Sequence, residues 1–166
     1  YMMGDYVRDK DAVTAALSLT EMAAWYAGQG MTLYDALMKL YEKYGWYGEK
    51  TLNLVMPGLD GLGKMKELMA SLRAKPPREI GGASVLGMRD YQNGTVSVAE
   101  LGVVGKTHIA GSNVLYFELE DGTAFIVRPS GTEPKIKVYI LTQGADRAEC
   151  EARVAKYTEY AEELSK

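Results

Sequence analysis

Residues 113–142 read NVLYFELEDGTAFIVRPSGTEPKIKVYILT and contain three apolar runs that predict β-strands. The runs NVLYFELE and TAFIVR flank Asp121 and Gly122, a dipeptide typical of a tight hairpin turn. The third run, KIKVYILT at 135–142, follows after a short polar segment. Because such short connections join only antiparallel neighbours, this stretch predicts an antiparallel sheet.

The flanking sequence adds helices to this sheet. A strand-like run at 51–56 precedes an amphipathic helical pattern at 60–73, and a second helical pattern follows at 146–165. Residues 92–112 contain many Gly and Ser residues, so we expect a loop with short extended pieces. The order strand, helix, about four strands, helix predicts an α+β fold: an antiparallel sheet with two helices on one face.

The first 45 residues follow a different pattern, with two predicted helices at 9–28 and 32–45. The change from purely helical to mixed patterns predicts a domain boundary near residues 45–48. We therefore expect two domains, 1–45 and 46–166.

Composition excludes several classes of function. The 166 residues carry a formal net charge of −3, which does not favour binding to a nucleic acid backbone. The single histidine, His108, cannot build a multi-histidine metal site, and the single cysteine, Cys150, fits a reducing cytoplasm. No apolar run approaches the ~20 residues of a membrane span. The opening residues lack a signal-peptide pattern, and since the first residue is Tyr1 we expect a fragment of a longer protein.

The segment between the last two predicted strands has the chemistry of a phosphate site. Arg128 offers a planar fork for phosphate oxygens, and Ser130 and Thr132 offer hydroxyl donors. Gly131 allows its backbone N–H to approach an anion closely. Lys135 and Lys137 share a face of the next strand, and one of them could add a second positive charge.

The same residues are open to a purely structural interpretation. Pro, Ser and Gly are common turn residues, and Lys often occupies solvated strand edges. A second candidate phosphate site is GLDGLGKM, in which Gly58, Gly63 and Lys64 match the P-loop pattern G-x-x-x-x-G-K. Met65 stands where that motif needs Ser or Thr for Mg²⁺, so we expect a turn and a helix start instead.

The stretch 112–140 resembles the C-terminal domain of the α-D-phosphohexomutases, the phosphoglucomutase and phosphomannomutase enzymes. RPSGTEPK within it is similar to that family's phosphate-binding loop, and RDKDAV at 8–13 resembles a segment near the end of the third domain. The resemblance implies a fourth domain similar to the TATA-box-binding-protein fold at 46–166. It also implies that 1–45 is the helical tail end of the third, sugar-binding domain.

The resemblance implies the reversible movement of a phosphoryl group between positions of a hexose, through a phosphoserine and a bisphosphate intermediate. In such enzymes Mg²⁺ held by aspartates neutralises charge, and the fourth domain holds the phosphate that does not react. The expected partners are therefore a hexose phosphate and the remaining domains of the same enzyme, with no nucleic acid and no membrane.

The resemblance also assigns roles to individual residues. Arg128, Ser130, Gly131 and Thr132 match the phosphate-binding loop, and Lys137 matches a basic position after it. The catalytic candidate, Lys10 in RDKD, matches a basic residue that approaches the sugar.

Three parts of the family's active site have no match in this sequence. We find no Ser-His pair for a phosphoserine loop, no D-x-D-x-D metal loop and no acidic sugar-recognition loop. We therefore expect no metal residues here, no bound Mg²⁺ and no turnover by this chain alone. The preferred sugar stays open among glucose, mannose, ribose and glucosamine.

Two other functions are compatible with the sequence. One is a non-catalytic interaction domain that binds a partner through its sheet, which predicts an exposed apolar sheet face. The other is a nucleotide-binding protein that uses Gly58–Lys64, which predicts stabilisation by ATP.

Overall fold

A computed structural model describes residues 9–58 and 60–164 of the chain. They form two compact units, the first ending at Gly45 and the second beginning at Trp46. The assignment of these units to the third and fourth domains of a longer enzyme stays a prediction.

The first unit contains two capped helices, α1 (Ala12–Ala27) and α2 (Leu33–Tyr44). The Asp11 carboxylate accepts hydrogen bonds from the backbone at the start of α1. Thr32 and Asp35 form a reciprocal capping box at α2, with the Thr32 N–H 2.8 Å from an Asp35 carboxylate oxygen. These side chains satisfy backbone donors that the first turn of each helix leaves unpaired.

In the described part of the second unit, eight strands combine with two helices. In chain order its elements are β1 (Trp46–Val55), α3 (Gly61–Ala74), β2 (Glu79–Ile80), β3 (Ala83–Asp90), β4 (Thr95–Val98), β5 (Gly102–Lys106), β6 (Leu115–Leu119), β7 (Ala124–Pro129), β8 (Lys135–Gly144) and α4 (Arg147–Glu163). The three strands predicted from 113–142 are β6, β7 and β8.

The strands form one antiparallel sheet in the order β1-β8-β7-β6-β3-β4-β5, with β2 paired to β3. Side chains on one face of this sheet, including Phe117, Val127 and Ile140, are fully buried. Met69 of α3 and Tyr157 of α4 belong to the same core, so both helices cover that face. The predicted α+β fold, with two helices on one side of an antiparallel sheet, is confirmed.

The structure is more regular than expected between residues 92 and 112. This segment forms the β4–β5 hairpin, whose strands use β-branched residues such as Val96 and Val103. Its turn places Glu100 and Gly102 at positive φ angles of 67° and 71°. The frequent glycines give this stretch a loop-like sequence. In the structure they lie at the turn and at the register shift within the hairpin.

Asp121, in the turn between β6 and β7, connects that hairpin to the last helix. Its carboxylate accepts a hydrogen bond from the Thr123 N–H at 3.0 Å and another from the Tyr157 hydroxyl at 2.6 Å. Arg153 of the same helix donates to the Asp121 carbonyl at 2.6 Å and lies 3.7 Å from its carboxylate. The turn that the sequence predicts is therefore also the anchor of α4.

These contacts shift two pKa values. Partial burial on its own would raise the pKa of Asp121, but the hydrogen bonds from Tyr157 and Thr123 outweigh it and lower the pKa below its usual value. Burial, followed by the bond to Asp121, raises the pKa of Tyr157. The pair is therefore an ionised carboxylate and a neutral phenol at neutral pH.

Tyr157→Phe should destabilise the protein by roughly 1.5–3 kcal/mol, because it removes a hydrogen bond to a charged group that is mostly buried. Urea denaturation measures this change. Tyr160→Phe is the matched control on the same helix, since Tyr160 packs edge-on against Phe125 through its ring, which Phe retains. Equal effects of the two substitutions would contradict the proposed role of the hydroxyl.

The lowered pKa of Asp121 also leads us to expect a loss of stability in acid. Because its pKa is lower in the folded protein than in the unfolded chain, its contribution is complete above the unfolded pKa of about 3.9 and is lost as the pH falls through the folded value. Asp121→Asn should therefore destabilise the protein at pH 7. The difference in free energy of unfolding between this variant and the native chain should shrink below about pH 4. Urea denaturation at a series of pH values would refute this if the difference stayed constant.

Candidate functional site

The polar segment between β7 and β8 is a short loop closed by backbone hydrogen bonds. The Ser130 N–H donates to the Lys135 carbonyl at 2.8 Å, directly beyond the paired residues Pro129 and Ile136. The Thr132 N–H points to the Ser130 hydroxyl oxygen at a longer 3.4 Å. Among the described residues the Gly131 N–H has no protein acceptor, so it is available to an anion.

Helix α3 and the end of β1 hold this loop from outside. The Met56 N–H donates to the Pro134 carbonyl at 2.9 Å. A Cβ at Gly61, the first residue of α3, would lie 2.1 Å from the Met56 carbonyl oxygen and 3.1 Å from Cβ of Pro134. The helix therefore approaches the loop more closely than any residue with a side chain would allow.

Of the three positively charged side chains near the loop, one has an acidic partner among the described residues and two do not. Lys135 forms an ion pair with Glu133 at 2.5 Å, and this hydrogen bond lowers the pKa of Glu133. Arg128 and Lys137 are direct cross-strand partners, and neither forms an ion pair within the part of the chain that the structure describes. Like charges directly opposite each other repel, so an anion bound beside them would relieve this repulsion.

A cleft of about 670 Å³ lies where this loop meets α3. From the loop it is lined by Arg128, Pro129, Ser130 and Gly131. The remaining walls come from α3 and from the segment that precedes β6, and their lining residues are Met65, Lys66, Met69, Ser112, Asn113 and Val114. None of the ten lining residues is acidic, in a chain that has 22 acidic and 19 basic residues.

The structure separates the predicted phosphate-binding residues into two groups. Arg128, Ser130 and Gly131 line the cleft, whereas Thr132 and Lys137 are not part of its lining. Thr132 is exposed on the same loop, and the backbone of Lys137 pairs with that of Arg128. The candidate site therefore extends from the cleft around the end of the β7–β8 hairpin.

Lys10, the predicted catalytic residue, belongs to the first unit. Its side chain is 90% exposed, and its ammonium group lies 2.9 Å from the Asp9 carboxylate. Arg8, the other basic residue of RDKD, is outside the described residues.

Comparisons with known proteins bear directly on this loop. Residues 88–157, which include all of β7, β8 and the loop between them, match the family described as phosphoglucomutase/phosphomannomutase, C-terminal domain. The chain is similar to the C-terminal part of the phosphoglucomutases and phosphomannomutases. This confirms the resemblance that the sequence suggested.

Two relatives show the extent of the similarity. A phosphoglucomutase of Staphylococcus aureus (strain bovine RF122 / ET3-1) is 34% identical over 141 residues, which cover 84% of this chain and 25% of the relative. A probable phosphomannomutase of Haemophilus influenzae is 34% identical over 155 residues, or 93% of this chain and 28% of the relative. The chain thus spans about a quarter of the length of the phosphohexomutases it matches.

A solved structure supports the fold. The open form of pp63/parafusin from Paramecium, an exocytosis-sensitive phosphoprotein described as a phosphoglucomutase, aligns with a TM-score of 0.52. The alignment covers 96% of this chain and 28% of that protein, at 17% sequence identity. At this identity the likeness concerns the fold.

The second candidate motif, Gly58–Lys64, contributes to packing in this fold. Gly61 and Gly63 lie inside α3, and Met65 is buried in the core. A P-loop wraps its backbone around phosphates before a helix begins, in a parallel sheet. Here the sheet is antiparallel, and the glycine at 61 serves the close contact with Met56.

The described residues provide no cluster of three His, Cys, Asp or Glu side chains that could hold a metal ion. The helices that the structure describes include none that is both long and apolar enough to cross a membrane.

The sequence pattern does not single out the cleft residues of α3 and of the segment before β6. Lys66 looks like an ordinary solvated lysine on a helix, and Asn113 looks like the polar start of a strand. Only the tertiary arrangement brings them beside Arg128, so no local pattern could have identified them.

Substitutions at two glycines of α3 test whether the close approach of this helix to Met56 supports the loop between β7 and β8. Gly61→Ala should destabilise the protein by about 1–3 kcal/mol, because its Cβ would overlap the Met56 carbonyl. Gly63→Ala, two residues later, meets nothing within 4 Å and should stabilise the helix by up to about 1 kcal/mol. Thermal or urea unfolding of both variants measures the contrast, and a stable Gly61→Ala protein would contradict the close approach.

Proposed function

We propose that this chain is the phosphate-holding part of an enzyme that interconverts hexose 1-phosphate and hexose 6-phosphate. The proposal is carried by Arg128, which forms no ion pair with any described residue and lies at a cleft whose lining contains no acidic residue. The similarity to phosphoglucomutases and phosphomannomutases supports it.

In this proposal the loop binds the phosphate that does not react. Arg128 supplies a bidentate guanidinium, the hydroxyls of Ser130 and Thr132 donate to phosphate oxygens, and the Gly131 N–H completes the set. Lys137 adds charge from the neighbouring strand. The backbone bond from Ser130 to Lys135 fixes the loop before the ligand arrives, which reduces the entropy lost on binding.

Holding the remote phosphate contributes to catalysis by orientation. Binding energy gained at one end of the sugar places the other end against the reacting group. In the whole enzyme that group would be a phosphoserine, which exchanges its phosphoryl group with the sugar through a bisphosphate. Lys10 would approach the sugar from the third domain, where its ammonium could contact phosphate or transfer a proton.

Mg²⁺ would neutralise phosphoryl charge in the whole enzyme, but the described residues do not form a site for it. We therefore propose that this chain alone binds sugar phosphate without converting it, and that its protein partners are the remaining domains of the same enzyme. The related proteins are named for both glucose and mannose, so the sugar is not fixed by the family. We place the enzyme in the cytoplasm, in keeping with its free, buried Cys150.

Arg128→Ala should weaken binding of inorganic phosphate and of glucose 6-phosphate by about tenfold to a hundredfold, the equivalent of roughly 1.5–3 kcal/mol. NMR titration of the 166-residue chain at pH 7.5 detects such binding even when it is weak. Arg128→Lys should fall between the native chain and the alanine variant, since it keeps the charge and loses the fork.

Arg78→Ala is the matched control, because Arg78 is exposed and lies outside the cleft lining. It should bind both ligands like the native chain. Native affinity in the Arg128→Ala variant, or equal losses in both alanine variants, would contradict the proposed phosphate site.

A further inference from the structure

The cleft is larger than a phosphate group requires. Its volume of about 670 Å³ lies in the range of sites that enclose whole small molecules, roughly 300–1,000 Å³. The loop residues line only one part of it. The rest is lined by α3 and the segment before β6, which bring Lys66 and Asn113 to the same cleft.

Asn113 is held in one orientation by an ion pair between Arg73, which is 20% exposed, and the buried Asp90. Arg73 donates from Nη2 to Oδ1 of Asn113 at 2.8 Å and from Nε to the Asp90 carboxylate at 2.8 Å. Asp90 is 2% exposed, and its carboxylate also accepts from Asn93 and from the Gln92 N–H. This network fixes the guanidinium, and the guanidinium fixes Asn113.

The direction of the Asn113 amide follows from chemistry. A guanidinium has donors and no acceptor, so the amide atom facing it must be the oxygen. The Nδ2 group of Asn113 then carries two donors, and within the described residues it has no protein acceptor. Because Asn113 lines the cleft, these donors are available to a ligand there.

Lys66 adds a third kind of donor to the same space. It is exposed on α3 and forms no ion pair with any residue that the structure describes. Met65 and Met69, which are 7% and 2% exposed, line the same cleft, so its lining beside Lys66 is apolar. A ligand with oxygen acceptors on an otherwise carbon skeleton suits such a surface.

We infer that Lys66 and Asn113 form a second set of donors that binds oxygen atoms of the ligand beyond its phosphate, with Arg73 and Asp90 as positioning residues. This inference rests on the proposed function and adds the residues of this chain that contact the ligand beyond its phosphate, with the polyol lying along α3. The phosphate stays at Arg128 and Ser130, and the polyol oxygens accept from Lys66 and Asn113.

The test compares two ligands on the 166-residue chain, inorganic phosphate and glucose 6-phosphate, by NMR titration. Lys66→Ala should weaken the binding of glucose 6-phosphate about fivefold to tenfold. The affinity for inorganic phosphate should change by less than about twofold. Lys64→Ala removes the same charge from α3 outside the cleft lining, and should change neither affinity. The ratio of the two dissociation constants therefore separates the effect of the polyol contact from the nonspecific electrostatic attraction between the protein and an anion.

Asn113→Asp tests the amide without removing the acceptor that Arg73 needs. It replaces the two donors by a carboxylate oxygen, so glucose 6-phosphate should bind at least fivefold more weakly while the melting temperature is kept. A native ratio of dissociation constants in Lys66→Ala, together with native glucose 6-phosphate affinity in Asn113→Asp, would overturn the inference.

The outcomes for Arg128→Ala separate this inference from the proposed function. If that variant loses both ligands while the Lys66 and Asn113 variants behave like the native chain, the phosphate site stands and the second donor set is wrong. If the native chain binds neither ligand, or Arg128→Ala binds both normally, the proposed function fails and this inference fails with it.

Discussion

The antiparallel pairing of β7 with β8 is the constraint on which the rest of the second unit depends. Val127 and Val138 face the core from this pair, and both are completely buried. The same pairing brings Arg128 opposite Lys137 and leaves the connecting loop at the end of the hairpin. Burial of apolar surface thus stabilises an arrangement of charges that would be unfavourable by itself.

The site and the core are linked through α3. This helix buries Met65 and Met69 against the sheet and also carries Lys66 into the cleft. Its first residue, Gly61, lies against Met56 beside the loop. The position of one wall of the cleft is therefore set by the same packing that stabilises the fold, which suits a site that must hold its geometry without ligand.

The sequence predicted the features that depend on local patterns. The strands at 113–142 and the Asp121-Gly122 turn follow from alternation and turn chemistry. The β4–β5 hairpin was missed because its glycines conceal the alternation. Asn113 could not be identified as a cleft residue, since its partner Arg73 is 40 positions away and only the folded chain brings them together.

The outer strand of the sheet, β5, affects how the isolated protein behaves in concentrated solution. All five of its residues are exposed, and within the described chain it pairs on one side only, with β4. Such an edge can recruit a strand from another molecule, which is the first step of aggregation. Two of its five residues are glycines, which weaken intermolecular pairing, and Lys106 adds repulsion between like molecules. The glycines that give this segment a loop-like sequence thus also limit its pairing with other molecules.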